Sequence, residues 1–392
     1  MRKKGELRVA VVGAGMIKFG ELFDQSFDDM VVGAYRDCLA SVDKGIDEDE
    51  IEAAWLGTCQ GSLLRREIVA GFTLAEPLGT LLKPVTRVEN ACCSGSDAIR
   101  NAAFAVAAGI YETVLVVGAE KMRDVPTRAS LVANRGVTSH LWMHPRGATA
   151  PQVFGQNITA HMAKYGTKRE HFAKVAVKNH LYGSMNEKSA LKFEVTLEQV
   201  LNAPMVSWPL GLFDCCPTTD GAAAVILTTE EKAKRYTDTP VFLIGTGVSA
   251  DVFTSFWKKS FTNWPATQEA AKQAYKMAGI TPKDIDVAEL HDCFSSTELI
   301  TYEDVGFCEI GKTGEWIDSG GPYFEGEIPC NLSGGLKSKG HPVGATGVAQ
   351  AHEIFNQLRG NKGKTQVKNA RYGLTHNLGG TGSVACVNIY GL

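Results

Sequence analysis

Short, continuously apolar runs alternate along the chain with longer stretches of helical spacing, which is the pattern of an α/β fold. Arg8-Val9-Ala10-Val11-Val12 reads as a strand, and the next helix is predicted from about Phe27 to about Val42. Gly13 and Gly15 read as turn residues after that strand. A dinucleotide turn is not expected, because the third glycine of G-x-G-x-x-G would fall on Lys18 and no helical pattern starts there. Asp220-Gly221-Ala222-Ala223-Ala224-Val225-Ile226-Leu227 reads as a strand returning to the first core. Between them, Glu89-Asn90-Ala91-Cys92-Cys93-Ser94-Gly95 is a polar turn, and the small and apolar residues Ala102 to Ala108 that follow are predicted to be helical.

The pattern then repeats. Gly45 to Cys59 aligns without gaps on Gly279 to Cys293 at a constant offset of 234, with Gly, Ile, Ile, Ala, Leu and Cys coinciding. A weaker match sets Cys92-Cys93-Ser94-Gly95 against His341-Pro342-Val343-Gly344 at an offset of 249, fifteen more. Strand-like runs follow both helices, Thr113 to Val117 and Arg371 to Thr375. A duplicated α/β unit follows, in which two equivalent loops bring a cysteine and a histidine to one site.

Composition narrows the class. The 392 residues are 44% hydrophobic and 21% charged, as in a globular protein with a substantial core. The net charge of −3 argues against a nucleic-acid binder. Neither a signal peptide nor a membrane span is read from the sequence, and a cytoplasmic location is expected. None of the ten cysteines forms a C-x-x-C pair, so a zinc ribbon or redox motif is not expected and no metal is assigned.

Residues 121–190 differ from the rest. They hold eleven basic residues against three acidic ones, which points to a site for an anionic ligand such as a nucleotide phosphate. Glycine, proline and methionine around Met143-His144-Pro145-Arg146-Gly147 suit an inserted loop region. The stretch from Phe253 to Trp264 is rich in aromatics and could be core or line an acyl pocket.

Cys92 falls near a helix N-terminus, where backbone N–H groups and the helix dipole favour a thiolate. Three polar clusters of the second half accompany it. Glu289-Leu290-His291-Asp292-Cys293-Phe294 ends a buried strand, where scaffolds display reactive groups. Gly340-His341-Pro342-Val343-Gly344 precedes a helix, and Asn377-Leu378-Gly379-Gly380 lies in a glycine-rich turn able to aim backbone N–H groups at a ligand. Each has a bland counterpart: a buried thiol, a satisfied strand-end histidine, a helix-start histidine, a tight hairpin. Their joint presence favours the chemical reading.

On these residues the chain resembles the thiolases nearly end to end. Cys92-x-Ser94-Gly95, His291-Asp292-Cys293-Phe294, Gly340-His341-Pro342-x-Gly344-Ala345-Thr346-Gly347 and Asn377-Leu378-Gly379-Gly380 occur in the family's order. The H-D-C-F form, with Lys18-Phe19-Gly20, is similar to the sterol-carrier-protein-type and archaeal branch. Common thiolases have N-E-A-F there and a second catalytic cysteine in a C-x-G turn, where this chain has Asn377. In the branch resembled, Cys293 takes that role.

The resemblance implies a duplicated five-layer α-β-α-β-α core with an inserted loop domain. Residues 1–120 with 208–265 would be the first half, 121–207 the CoA-binding insertion, and 266–392 the second half. It implies an acyltransferase that works through acyl-Cys92, with His341 as its base. The backbone N–H groups of Cys92 and Gly380 would bind one oxyanion, His291 and His341 would hold an enolate oxygen, and Cys293 would carry the proton. Asn377 would shape its loop and Cys93 would be a packing residue. CoA would be substrate and product, with no permanently bound cofactor. Its phosphates would meet basic residues of the insertion, with Arg123, Arg128, Arg135, Arg146, Lys168 and Arg169 as candidates. Candidate substrates are acetoacetyl-CoA and a bulky or aryl 3-ketoacyl-CoA such as benzoylsuccinyl-CoA. A homodimer through the edge of the first-half sheet is implied. The family also offers an acyltransferase, ketosynthase or retro-aldolase working with a zinc-ribbon/OB-fold partner.

Overall fold

The structure, a computed structural model, describes residues 7–68, 72–134, 136, 138, 139, 141–143 and 147–392. Its first half contains β1 (Val9–Met16), α1 (Phe27–Ala40), β2 (Ala53–Gly57), α2 (Phe72–Ala75), β3 (Val85–Val88), α3 (Ser94–Ala107) and β4 (Thr113–Glu120). Next come α4 (Thr127–Asn134), α5 (Ala150–Tyr165), α6 (Arg169–Ser184), α7 (Leu197–Leu201), β5 (Met205–Ser207) and β6 (Leu210–Gly211). The chain then returns through β7 (Gly221–Thr229), α8 (Glu230–Ala233), β8 (Val241–Ala250), α9 (Pro265–Ala278) and β9 (Val287–Glu289). It ends with α10 (Ser295–Asp304), α11 (Thr313–Asp318), α12 (Gly335–Lys339), α13 (Thr346–Leu358), β10 (Tyr372–Gly379) and β11 (Val384–Gly391).

The duplication read from the sequence is visible in the strand order. The first half runs β3-β2-β4-β7-β1 and the second β9-β10-β11-β8, from outer edge to centre. Each half pairs its first strand antiparallel to its last, β1 with β7 and β8 with β11. Each also has a parallel pair, β2 with β4 and β9 with β10. A parallel bridge from Ala288 to Cys330 takes the place that β3 has in the first half. Gly45 and Gly279 hold φ of +72° and +70°, so the repeat keeps glycine where the backbone turns left-handed. The two half-sheets join edge to edge through β1 and β8.

Layering follows from which faces are apolar. On α1, which opens with a capping box of Ser26 and Asp29, Met30, Val31, Ala34 and Cys38 cover one face of the first half-sheet. Ala98, Ile99, Ala102, Ala103 and Val106 of α3 recur at helical spacing. They meet Val348, Ala351, Ile354 and Phe355 of α13 in one core between the two half-sheets. Ala270, Ala271 and Ala274 of α9 cover the far face of the second half. These are the five layers of an α-β-α-β-α sandwich. The insertion is mainly helical, α4 to α7, with only the short β5–β6 hairpin.

One expectation is corrected. Gly13 and Gly15 lie inside β1 and form no turn after it. They are glycines because α1 presses on that strand: a Cβ on Gly15 would stand 2.1 Å from the backbone nitrogen of Cys38. Gly15→Ala should therefore lower the chemical-denaturation stability by roughly 1–3 kcal/mol. An unchanged urea midpoint would contradict this packing.

Candidate active site

The loop before α3 presents Cys92 through a left-handed residue that is not glycine. Ala91 has φ +51°, a conformation that costs an L-residue about 1–2 kcal/mol. Local hydrogen bonds over-determine it. The Ala91 amide donates to Glu89 Oε1 at 2.7 Å, and the Ser94 hydroxyl donates to the Ala91 carbonyl at 2.6 Å. Cys93 is the residue before the helix, fully buried, with Sγ donating to the Asn377 carbonyl at 3.2 Å. It packs, and Cys92 faces the site.

The sulfur of Cys92 and a ring nitrogen of each of His291 and His341 all lie within 4.8 Å of one another. The imidazole rings are 5.0 Å apart, edge to face. Hydrogen-bond partners set each tautomer. Thr346 Oγ1 donates to the Pro342 carbonyl at 3.1 Å, so it accepts from His341 Nδ1–H at 2.7 Å. That leaves His341 Nε2 with a free lone pair. On the other ring, Asn377 Nδ2 donates to His291 Nδ1 at 3.4 Å, its amide orientation fixed by Ser96 Oγ donating to Asn377 Oδ1 at 2.6 Å. His291 Nε2 then carries the hydrogen. One histidine is arranged to accept a proton and the other to donate a hydrogen bond. Asn377 thus does more than shape its loop: it orients His291.

The backbone N–H groups of Gly380 and Cys92 both act on the Cys92 sulfur and favour its anion. Cys293, 7% exposed at the start of α10, lies 3.7 Å from Thr297 Oγ1. Burial raises its thiol well above the ordinary range, and the neighbouring Cys216 and Cys92 add to the rise.

Helix N-terminal placement does not by itself yield a resting thiolate. Burial pushes the Cys92 thiol up to about 12, outweighing the two N–H groups that favour the anion. Burial also pushes His341 down to about 3. The resting pair is neutral thiol and neutral imidazole, so ionisation waits for substrate. Alkylation of Cys92 by iodoacetamide should accordingly climb with pH from 6 to 9. A plateau at low pH, the mark of a thiolate–imidazolium pair, would refute the neutral resting state.

Two buried carboxylates hold the loops, Glu120 and the Asp292 of the H-D-C-F motif. Glu120 ends the apolar strand β4 and accepts from Thr58 Oγ1 at 2.9 Å, Cys59 N at 2.8 Å, Gln60 N at 3.0 Å and Gly344 N at 3.1 Å. Asp292 accepts from Leu336 N at 2.6 Å and Lys337 N at 3.1 Å, capping the short helix that delivers His341. A charge at the end of an otherwise apolar strand is the signal that could have revealed Glu120. The central helices themselves meet glycine to backbone. A Cβ on Gly95 would stand 2.6 Å from the Gly344 carbonyl, and one on Gly347 2.3 Å from Ser96 N.

Family models match on both sides of this site: the thiolase N-terminal domain over residues 9–206 and the thiolase C-terminal domain-like model over 247–392. The chain belongs to the thiolase family. It is an acyltransferase, 42% identical to the acetyl-CoA acetyltransferase of Methanothermobacter thermautotrophicus over 97% of this chain and 99% of that one. It is 38% identical to human sterol carrier protein 2, over 98% of this chain and 72% of that one. A solved structure described as the Ltp2-ChsH2(DUF35) aldolase is similar at a TM-score of 0.85 and 26% identity, covering 98% and 97% of the two chains.

The basic segment of this thiolase-family chain looks different once folded. Its surplus charge is largely met by carboxylates from elsewhere in the chain. Lys121 pairs with Asp220 at 2.7 Å, Lys174 with Asp318 at 2.7 Å and Lys178 with Glu298 at 2.9 Å, while Lys188 pairs with Asp37 at 2.5 Å. Of the six candidates for phosphate contacts, Arg123 pairs with Glu21 and Arg169 with the buried Asp214. Both of these are engaged in ion pairs within the chain. Arg128 and Lys168 are exposed, and Arg135 and Arg146 lie outside the described residues.

One cavity, about 610 Å³, adjoins the thiolase site and is lined by Cys59, Arg87, Ala91, Phe253, Gly380 and Ser383. A second, about 880 Å³, lies between α5 and the aromatic stretch and is lined by Val153, Gln156, Trp208, Phe256 and Phe261. The aromatic stretch divides accordingly. Trp264 is fully buried against Phe154, whereas Phe253, Phe256 and Phe261 line cavities. Among the described residues no helix is long and apolar enough to cross a membrane.

Proposed function

We propose that this chain cleaves a 3-ketoacyl-CoA with CoA, or runs the reverse Claisen condensation, through an acyl-Cys92 intermediate. The observation that carries the reading is the convergence of Cys92 Sγ with nitrogens of His341 and His291 within 4.8 Å. His341 Nε2 takes the Cys92 proton, and the thiolate attacks the 3-keto carbonyl. The N–H groups of Cys92 and Gly380 receive the oxyanion. When it collapses the bond between the α- and β-carbons breaks, leaving the acyl group on sulfur and an enolate of the departing thioester. His291 Nε2–H, with His341 now protonated, holds the enolate oxygen, and Cys293 gives its proton to the α-carbon. The thiol of CoA then takes the acyl group from Cys92. Condensation reverses these steps.

CoA is substrate and product in this scheme, and no permanent cofactor takes part. Arg123, Arg128, Arg135, Arg146, Lys168 and Arg169 are the candidates for its phosphates, with Arg123 and Arg169 already holding carboxylates of this chain. Residues 1–120 with 208–265 would act as one half, 266–392 as the other, and 121–207 as the CoA-binding insertion. Acetoacetyl-CoA is one candidate substrate. The aromatic lining of the 880 Å³ cavity supports a second, a bulky or aryl 3-ketoacyl-CoA such as benzoylsuccinyl-CoA. A homodimer through β3, which pairs only with β2 among the described strands, and a cytoplasmic location complete the reading. The alternative is an acyltransferase, ketosynthase or retro-aldolase working with a zinc-ribbon/OB-fold partner. Similarity to the Ltp2-ChsH2(DUF35) aldolase supports it. A thiolysis screen of aliphatic against aryl 3-ketoacyl-CoAs, with mass analysis of Cys92, tests both. No acyl gain on Cys92 with any thioester would end the first reading.

A further inference from the structure

Three lysines of the second half and its flank are enclosed: Lys178, Lys337 and Lys339, exposed by 1%, 0% and 1%. Two of them have counter-ions. Lys178 Nζ is 2.9 Å from Glu298, and Lys339 Nζ is 3.4 Å from Glu289 and 3.8 Å from Glu353. Lys337 differs. Among the described residues no carboxylate pairs with its ammonium, and its hydrogen bond goes to the main-chain carbonyl of Asp214. Burying an ammonium without a paired counter-ion is costly, and such a charge persists where something gains from it.

Its surroundings show what gains. The Asp214 carboxylate is committed to Arg169, Ser295 Oγ and the Gly211 amide. Asp292 also feels the lysine, but its oxygens are occupied by the amides of Leu336 and Lys337 and by Asn179 Nδ2 at 2.7 Å. The segment that accepts from the ammonium lies directly against Cys293: Cys216 N donates to the Cys293 carbonyl at 3.0 Å, and Cys215 bridges to Phe294. Its hydrogen bond to Asp214 thus ties the cation to the segment that carries Cys215 and Cys216 and pairs with Cys293. It acts on all three thiols toward ionisation, more on Cys215 and Cys216 than on Cys293, where it ranks behind burial, Cys216, Cys92 and Thr297. On its remaining side His180 is kept neutral.

Cys293 needs such a neighbour. Its enclosure, Cys216 and Cys92 all oppose loss of its proton, and Thr297 offers one weak hydrogen bond. His291, two residues before it, is held neutral by burial and by His341 and His376, so it lends no positive charge. We propose that Lys337 is a positioning residue for proton transfer, its enclosed and unpaired ammonium holding the space behind Cys293 at positive potential so that this thiol can release and regain a proton. This rests on the reading of Cys293 as the proton carrier. No covalent change occurs at Lys337: the proton passes between Cys293 Sγ and the α-carbon, and the lysine keeps its own.

The test uses the full chain with Lys337→Met, which removes charge and donor, and Lys337→Gln, which keeps a donor for the Asp214 carbonyl without the charge. Alkylation of Cys293 by iodoacetamide is followed by peptide mass across pH 6.5–10 in a Cys92→Ser background. Solvent deuterium exchange at the α-carbon of acetyl-CoA and acyl gain on Cys92 are measured without that background change. Both variants are expected to slow Cys293 alkylation at pH 8 at least tenfold, moving the profile to higher pH by a unit or more. Exchange should fall in parallel, while acylation of Cys92 stays within about threefold of the parent. Lys337→Arg should keep the parent profile if it folds. Superimposed alkylation profiles in a folded Met or Gln variant would overturn the proposal, as would equal losses of acylation and exchange. Failure of the underlying reading is seen separately, as α-carbon exchange that survives Cys293→Ala.

Discussion

Cys92→Ala is expected to abolish acyl-enzyme formation and to lower turnover by roughly 10³- to 10⁶-fold, the range seen when an activated nucleophile is removed. The geometry makes the loss specific. Among the described residues, only the Cys92 sulfur combines two backbone N–H groups with two histidine nitrogens inside 4.8 Å. Cys93, one residue on, is fully buried and spends its thiol on the Asn377 carbonyl. Cys93→Ala should therefore keep the acyl adduct on Cys92, at the stability cost of a small cavity. Intact-protein mass after incubation with acyl-CoAs separates the two. An adduct that persists in Cys92→Ala, or moves to Cys93, would require a different nucleophile.

Cys293→Ala should split the reaction. Acylation of Cys92 needs His341 and the oxyanion N–H groups, none of which touches Cys293 in the observed hydrogen bonds. Proton transfer at the α-carbon falls to Cys293 in the proposed scheme, since His341 and His291 are assigned to the oxygens there. Condensation and α-carbon exchange should therefore fall by roughly 10²- to 10⁴-fold, the usual contribution of general acid–base catalysis. The measurement is acyl mass on Cys92 beside deuterium uptake into acetyl-CoA. Joint loss of both would merge the two roles that the proposed scheme keeps apart.

Much of this architecture was legible from local pattern. The Gly45/Gly279 repeat and the strand endings at Cys59 and Cys293 are short-range features, so the duplication could be read from one sequence. Cys92, His341, His291 and Cys293 stand out as candidates because each lies in a glycine-rich or strand-end motif. What stayed hidden was long-range or conformational. Gly13 and Gly15 could not be placed without knowing that α1 crosses β1. The basic insertion suggested a ligand because its carboxylate partners are distant in sequence, Asp37 and Asp220 among them. The orienting role of Asn377 depends on Ser96, 281 residues away. The neutral resting state of Cys92 depends on burial, which outweighs the helix-end effect visible in the sequence.

The glycine contact between α3 and α13 sets the gauge of the reaction. Because Gly95 and Gly347 let backbone meet backbone, the spacing between the loops that carry Cys92 and His341 passes through no intervening side chain. Rotamer hopping in the surrounding core cannot stretch it, and surface substitutions on either half have no lever on it. One methyl group at Gly95 does. It would wedge the Gly344 carbonyl outward and carry the His341 loop with it, so the least conspicuous residue of the motif is the one that meters the sulfur-to-nitrogen gap.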